Sequence, residues 1–332
     1  MKILIVATCF CGLFPAAAWA LCTQNTSNGL NYYTASVSGF SPPDFSPGDV
    51  PIGGVIYSAS GKATFTNKKG SVASSTCNSW TRTYLTGVGV PDSTGIYPTS
   101  MPNIGIRLKT GTGGKVLPYQ EANSYLNSTW NESFALTVEL VKTGEITAGG
   151  VLSDSYAQYR ADQANGQVLV DFRFASPVLV RPRVPTCKVA TPLITVPMGK
   201  LGVSSFNGVG STVGTRSFAI SLACSGGDAG TMTNAYVTLT DSTMPSNMST
   251  TLSLTKESTA SGVGLQIMKG DTLVGFGPDS AAVGNTNQWK VGTVMQGQAN
   301  LTIPLTARYV QTGSKITPGS ANARATFTMS YQ

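Results

Sequence analysis

The strongest constraint on the fold is an alternation of apolar and polar residues with a period of two. It is clearest over residues 325–331, where Ala, Phe, Met and Tyr alternate with Thr, Thr and Ser. Clusters of Gly, Pro, Asn and Asp separate such segments, and none has a 3.6-residue period over three turns. Other strand-like segments cover residues 55–57, 104–108, 134–141, 168–174 and 218–222. We therefore predict an all-β fold with two β-sandwich domains.

The first 20 residues have the pattern of a secretory signal peptide. Lys2 precedes an apolar run over residues 3–14, and Ala18-Trp19-Ala20 forms a small-x-small exit. We expect cleavage before Leu21 and export from the cytoplasm. Two of the six cysteines would leave with the signal peptide.

The four remaining cysteines are expected to form two disulfides, because the chain is exported. They are Cys22, Cys77, Cys187 and Cys224. Three pairings are possible. We favour Cys22–Cys77 with Cys187–Cys224, because this pairing keeps each disulfide within one half of the chain.

A change in composition divides the chain between the two cysteine pairs. Three prolines at positions 177, 182 and 185 follow the strand-like sequence VLVDFRF. This pattern predicts a semi-rigid, extended linker over residues 177–186. The predicted domains are residues 21–176 and residues 187–332.

The residue types present exclude several functions. The chain has no histidine, which removes the usual Ser/His/Asp and Cys/His nucleophilic systems and the commonest zinc ligand. Acidic residues are sparse, so we expect no enzymatic activity, and we expect no cofactor or metal. The net charge of +7 comes from scattered cations, so we also expect no nucleic-acid partner.

Several features of the second half occur together in one protein family. Cys187 and Cys224 flank its first two strands, and a TPGSANA turn precedes the alternating C-terminal strand. Tyr331 is the penultimate residue, and Gly319 is the fourteenth from the end. Over residues 187–332 this half resembles the pilin domain of chaperone/usher fimbriae. The resemblance implies an incomplete immunoglobulin-like sandwich that a strand from another subunit completes.

An incomplete sandwich leaves a groove with core side chains beside an unpaired sheet edge. The resemblance implies that a periplasmic pilus chaperone fills this groove first. A strand from an adjacent fimbrial subunit then replaces the chaperone at the outer-membrane usher. The residues expected at the edge are Gly319, Ala325, Phe327, Met329 and Tyr331. The alternative is an ordinary last strand in a complete sandwich.

The resemblance also predicts a position in the fibre. Other pilins of this family donate an alternating extension that precedes their first cysteine. Here only Leu21 would precede Cys22, and prolines interrupt the segment before Cys187. We therefore expect a two-domain adhesin at the fimbrium tip, on the cell surface, that does not polymerise with itself.

The first half resembles the receptor-binding domains of such adhesins, through its early cysteine pair and the stretch YPTSMPNIGIRLKTG. A plain loop and strand is the alternative for that stretch. A sugar site needs flat apolar faces beside fixed hydrogen-bonding groups. The residues expected to bind a glycan or another host-surface receptor are Leu21, Asn78, Trp80, Asp154, Tyr156 and Gln158. Additional aromatic and amide candidates are Tyr84, Tyr97, Trp130, Asn131 and Tyr159.

The preferred hypothesis is a glycan-binding tip adhesin. The second hypothesis is a structural tip or adaptor subunit without a sugar pocket. A hydrolase is the third, because the spatial separation of two carboxylates is not visible in a sequence.

Overall fold

The computed structural model describes residues 21–111, 114–132 and 136–332, so the expected signal peptide lies outside the described residues. In the described part, the all-β prediction is confirmed, since it contains strands and two short 3₁₀ turns, Pro47–Asp49 and Val203–Ser205, but no α-helix. Accordingly, no helix within these ranges is long and apolar enough to cross a membrane.

Within the described part of residues 21–185, fourteen strands begin. They are β1 (Cys22–Gln24), β2 (Tyr33–Ser38), β3 (Val55–Ser60), β4 (Lys62–Phe65), β5 (Ala73–Gly87), β6 (Ile96–Pro98), β7 (Ile104–Thr110), β8 (Tyr119–Trp130), β9 (Leu136–Lys142), β10 (Gly150–Leu152), β11 (Ser155–Ala161), β12 (Val168–Phe174), β13 (Val178–Val180) and β14 (Pro185–Val189). The later strands are β15 (Thr212–Gly226), β16 (Met232–Asp241), β17 (Val263–Lys269), β18 (Thr272–Leu273), β19 (Trp289–Met295), β20 (Asn300–Gln311) and β21 (Ala325–Tyr331).

The first half is a β-sandwich. One sheet has the order β1-β5-β11-β12-β2-β4, with β8 added to β5, and the other has the order β3-β9-β7-β6. Leu85 and Tyr159 from the first sheet share one buried cluster with Leu108 and Leu140 from the second. Alternating residues therefore point inward from both sheets, as the period of two predicts.

The second half is a separate sandwich of a five-stranded sheet, β14-β15-β20-β17-β18, and a three-stranded sheet, β19-β16-β21. Its buried cluster includes Ile220 and Ile303 from the larger sheet and Val237 from the smaller one. The protein therefore contains two β-sandwiches, one in each half.

Each sandwich contains one disulfide. Cys22 bonds to Cys77 across β1 and β5, and Cys187 bonds to Cys224 across β14 and β15. In both cases the two cysteines are direct partners in an antiparallel ladder. The structure therefore contains the pairing that the sequence favoured.

The connection between the sandwiches is shorter than the expected linker. Val178 and Val180 in β13 are buried in the first core, and β13 pairs with β10. Only residues 181–184 connect this strand to β14, and Pro182 forms a parallel bridge with Phe45. Prolines at 177 and 182 flank β13, a strand of only three residues, and composition alone does not reveal its pairing with β10.

Candidate functional site

The last strand, β21, lies at the open edge of the three-stranded sheet, with β16 as its neighbour. Beyond its end, Asn234 and Gln332 donate backbone hydrogen bonds to each other at 3.0 and 3.3 Å. Because such pairs alternate along an antiparallel ladder, the backbone N–H and C=O groups of Phe327 and Met329 point away from β16. Their peptide groups therefore form the open edge of the sheet.

A second extended segment near this core lacks backbone pairing. Within the described structure, residues 191–201 make no backbone-to-backbone hydrogen bond. Ile194 and Val196 nevertheless pack, half-buried, on the core, and Met198 is buried. These three residues alternate in the sequence, which is the signal that could have identified them.

The core between these segments is incompletely covered. Among described residues, the second cluster has 17 buried hydrophobic residues and 15 partly buried ones, whereas the first has 29 and 7. The partly buried group includes Ala325, Phe327, Met329 and Tyr331, so the apolar face of β21 is only half covered. Covering such side chains would contribute about 1.5–3 kcal/mol each if they were fully exposed beforehand.

The polar face of β21 is covered over its second half, which the sequence pattern does not suggest. Ser330 is 3% exposed, and its hydroxyl donates to Ala281 O at 2.7 Å. Thr328 donates to the carboxylate of Asp279 from the same loop. The strand is therefore held from β16 and from this loop, and its remaining backbone edge is open.

Gly319 lies in the segment that leads to β21, not in the strand itself. A Cβ atom at this position would lie 2.4 Å from Thr259 Oγ1 and 2.5 Å from Ala260 N. Close approach of two backbones therefore requires glycine here.

A cleft of about 230 Å³ opens in the first sandwich. One wall is Tyr97–Ser100, from β6 and the turn after it, and the other is Leu152–Tyr156, from the end of β10 to the start of β11. Val88, Ile106 and Phe174 also line the cleft. The YPTSMPN stretch and the late polar loop, which are far apart in the sequence, thus face one another.

Tyr156 is the buried aromatic residue of this cleft. It is 4% exposed, and its ring centroid lies 4.5 Å from that of Phe174. Its hydroxyl has no hydrogen-bond partner among the described residues, and burial raises its pKa above the usual range of tyrosine. Asp154, with a φ of 70°, presents an exposed carboxylate at the rim. The cleft thus combines a fixed ring with polar groups.

Gln158 does not line this cleft, although it is only two residues from Tyr156. Its side-chain nitrogen donates to Asp171 Oδ1 at 2.9 Å, and its oxygen accepts a hydrogen bond from Arg160 at 2.9 Å. Arg173 also pairs with Asp171, at 2.6 Å. The Gln158 amide is therefore part of a polar network on β11 and β12.

Leu21, Asn78 and Trp80 lie elsewhere. Asn78 N donates to Leu21 O at 2.8 Å, and the Trp80 side chain is 68% exposed. Asn78 and Trp80 lie in the middle of β5, whereas Val88 in the cleft follows its end. The six candidates thus fall into separate groups, because the second half of β5 separates Trp80 from the cleft at Val88.

The additional candidate residues also lie at different places in the first sandwich. Tyr97 belongs to the cleft described above, and Tyr84 lies on β5. Trp130, Asn131 and Tyr159 line a second cleft of about 330 Å³. The described residues contain no group of three or more potential metal ligands that could hold an ion.

Two family models match adjoining parts of the chain. Residues 46–174 match the MrkD-like receptor binding domain, and residues 174–332 match the family of fimbrial proteins. The order is that of a fimbrial subunit in which a receptor-binding domain precedes a pilin domain.

The similar proteins are two fimbrial adhesins and a fimbrial subunit. The F17d-G fimbrial adhesin of Escherichia coli is 35% identical over 214 residues, which cover 62% of this chain and 60% of that protein. A fimbria adhesin protein of Klebsiella pneumoniae is 26% identical over 98% of each chain. Fimbrial subunit type 1 of Salmonella typhimurium is 34% identical over 139 residues, 42% of this chain and 70% of that one.

The chain belongs to the family of fimbrial proteins, since it is 34% identical to the Salmonella typhimurium fimbrial subunit over 70% of that protein. The aligned part spans 60% of the length of the F17d-G adhesin. Proteins of this family are binding and structural proteins.

Proposed function

We propose that this protein is a fimbrial tip adhesin. Its first half, residues 21–176, binds a glycan receptor, and its second half, residues 187–332, accepts a strand from the adjacent fimbrial subunit. A periplasmic chaperone occupies the same groove before the outer-membrane usher assembles the fibre. The protein is then displayed at the fimbrium tip, outside the cell.

The open edge of β21 is the observation that carries this proposal. The peptide groups of Phe327 and Met329 point away from β16, and their side chains are half-buried on the core. Residues 191–201 supply a second extended segment without backbone pairing in the described structure. A strand with alternating apolar residues would satisfy the peptide groups and cover the core at the same time.

The first test adds a peptide copied from the alternating N-terminal extension of a pilin to the full chain. A ligand that binds only the folded state stabilises it by about 4 kcal/mol at 1,000 times its dissociation constant. We expect thermal unfolding of the second sandwich to shift upward accordingly. A sequence-scrambled peptide is the control. An equal shift with both peptides, or none with either, would refute strand acceptance.

The cleft between Tyr97–Ser100 and Leu152–Tyr156 is the proposed receptor site. Tyr156 supports this assignment, because its buried hydroxyl has no partner among the described residues. A sugar hydroxyl would provide one, and Asp154 would accept hydrogen bonds at the rim. The exposed surface formed by Leu21, Asn78 and Trp80 remains a second proposed contact.

Tyr156→Phe tests this site, because it removes only the hydroxyl. We expect glycan binding to fall about tenfold with no loss of stability, since the hydroxyl is unpaired in the free protein. Tyr236→Phe in the second sandwich is the matched control. The measurement is binding of the full chain to a glycan array, followed by titration of any glycan that binds. Unchanged glycan affinity in Tyr156→Phe would contradict this placement of the site.

A further inference from the structure

The second cleft of the first sandwich lies between β8 and residues of β4, β5, β11 and β12, and its walls are aromatic. Its volume is about 330 Å³. Its aromatic lining residues are Phe65, Tyr125, Trp130, Tyr159 and Phe172. This cleft shares none of its lining residues with the proposed receptor cleft.

The aromatic walls are held in place by their own contacts. Trp130 Nε1 donates to Ser75 Oγ at 2.8 Å, which fixes the indole ring. The ring centroids of Trp130 and Tyr159 lie 5.6 Å apart, and those of Tyr159 and Phe172 lie 4.7 Å apart. Tyr125 is 44% exposed, so part of this side chain remains accessible to solvent. A ligand would therefore meet aromatic rings that need little reorganisation.

Glu121 supplies the one charge among the lining residues that the structure describes. No lysine or arginine is among the described lining residues, and Glu121 takes part in no salt bridge between described residues. Burial, and then electrostatic coupling to Tyr156 and Glu121, raises the pKa of the Tyr159 hydroxyl. The Glu121 carboxylate and the aromatic rings therefore line the same cleft, where both would contact a bound ligand.

We propose that this cleft binds an organic cation, specifically an alkylated ammonium group. Aromatic faces attract such a cation through their quadrupoles, and the Glu121 carboxylate adds a favourable charge. A trimethylammonium group carries its charge on an apolar surface, so it needs no hydrogen-bond acceptors from the walls. A guanidinium group would need several, and a carboxylate ligand would be repelled by Glu121. This site would act in addition to the proposed receptor cleft.

The test titrates the full chain with choline and with 3,3-dimethyl-1-butanol, which has the same shape without the charge. The readout is the NMR signal of the Trp130 indole N–H, assigned with Trp130→Phe. We expect choline to bind at least about tenfold more tightly than its neutral analogue, because cation–π attraction and the carboxylate both require the charge. Equal binding of the two, or no binding of choline, would overturn the proposal.

Two further binding measurements test whether Glu121 contributes to the site and which type of cation the cleft prefers. Glu121→Gln should weaken choline binding about tenfold, whereas Glu145→Gln, which neutralises an exposed carboxylate outside the cleft, should not. Acetyl-arginine methylamide should bind more weakly than choline, and tighter binding of this compound would replace the proposed ligand class with an arginine side chain. Choline binding is read independently of glycan binding and of strand acceptance, so failure of one proposal does not imply failure of the others.

Discussion

Asp241 shows how a single buried carboxylate organises the second sandwich. It lies at the end of β16 with 0% exposure, and its oxygens accept hydrogen bonds from the backbone N–H groups of Thr243, Met244 and Ser253 at 2.9–3.1 Å. The side chain of Asn247 donates a fourth, at 2.9 Å. Burial opposes ionisation, but these hydrogen bonds outweigh it and lower the pKa of Asp241.

Replacing this carboxylate should destabilise the second sandwich. Asp241→Asn places an NH₂ group against N–H donors, and we expect a loss of about 2–3 kcal/mol at pH 7, measured by urea unfolding. Because folding lowers the pKa, the carboxylate's contribution is complete above an unfolded-state pKa of about 3.9 and is lost as the pH falls through the folded-state value. The difference between wild type and variant should therefore shrink in acid. Asp271→Asn, at an exposed position, is the control, and an equal loss there would contradict the argument.

The open edge of β21 has a direct consequence for hydrogen exchange. The amides of Thr328 and Ser330 point toward β16, whereas those of Phe327 and Met329 point to the open edge. In the full chain without a donor peptide, we expect Phe327 and Met329 to exchange much faster than Thr328 and Ser330. A bound donor peptide should protect all four. Uniform protection before the peptide is added would show that the edge is already paired.

Periodicity predicts strands well but does not identify their partners. The alternation over residues 325–331 correctly predicts a strand with one apolar face, because side chains alternate whatever the strand pairs with. It does not predict that Ser330 is buried under the loop containing Ala281, since that contact joins residues 49 positions apart. The same limit applies to the candidate site. Aromatic and polar residues were visible as candidates, but their division between the middle of β5 and the cleft beyond its end depends on long-range pairing.

The two sandwiches contact each other through a buried hydrogen bond and an exposed ion pair, which should contribute differently to stability. Thr233 in the second sandwich donates a hydrogen bond to the carbonyl of Thr147 in the first, and both residues are buried. Near the connection, Arg183 N donates to Phe45 O at 2.8 Å, and its side chain pairs with Asp228 at 2.7 Å. The Arg183 side chain is 49% exposed, so solvent screens this ion pair. The buried hydrogen bond should therefore contribute more to the contact between the halves.

Thr233→Val tests that ranking, because it removes the donor and leaves the carbonyl of Thr147 without a partner in a buried site. We expect a loss of about 1–3 kcal/mol in urea unfolding. We also expect faster tryptic cleavage after Arg183, since a looser contact between the sandwiches exposes the connecting backbone. Asp228→Asn, which removes the charge of the screened ion pair, should change both measurements much less. If instead Asp228→Asn accelerated cleavage more than Thr233→Val, the exposed pair would be the principal contact, and the hydrogen bond between Thr233 and Thr147 would have only a local role.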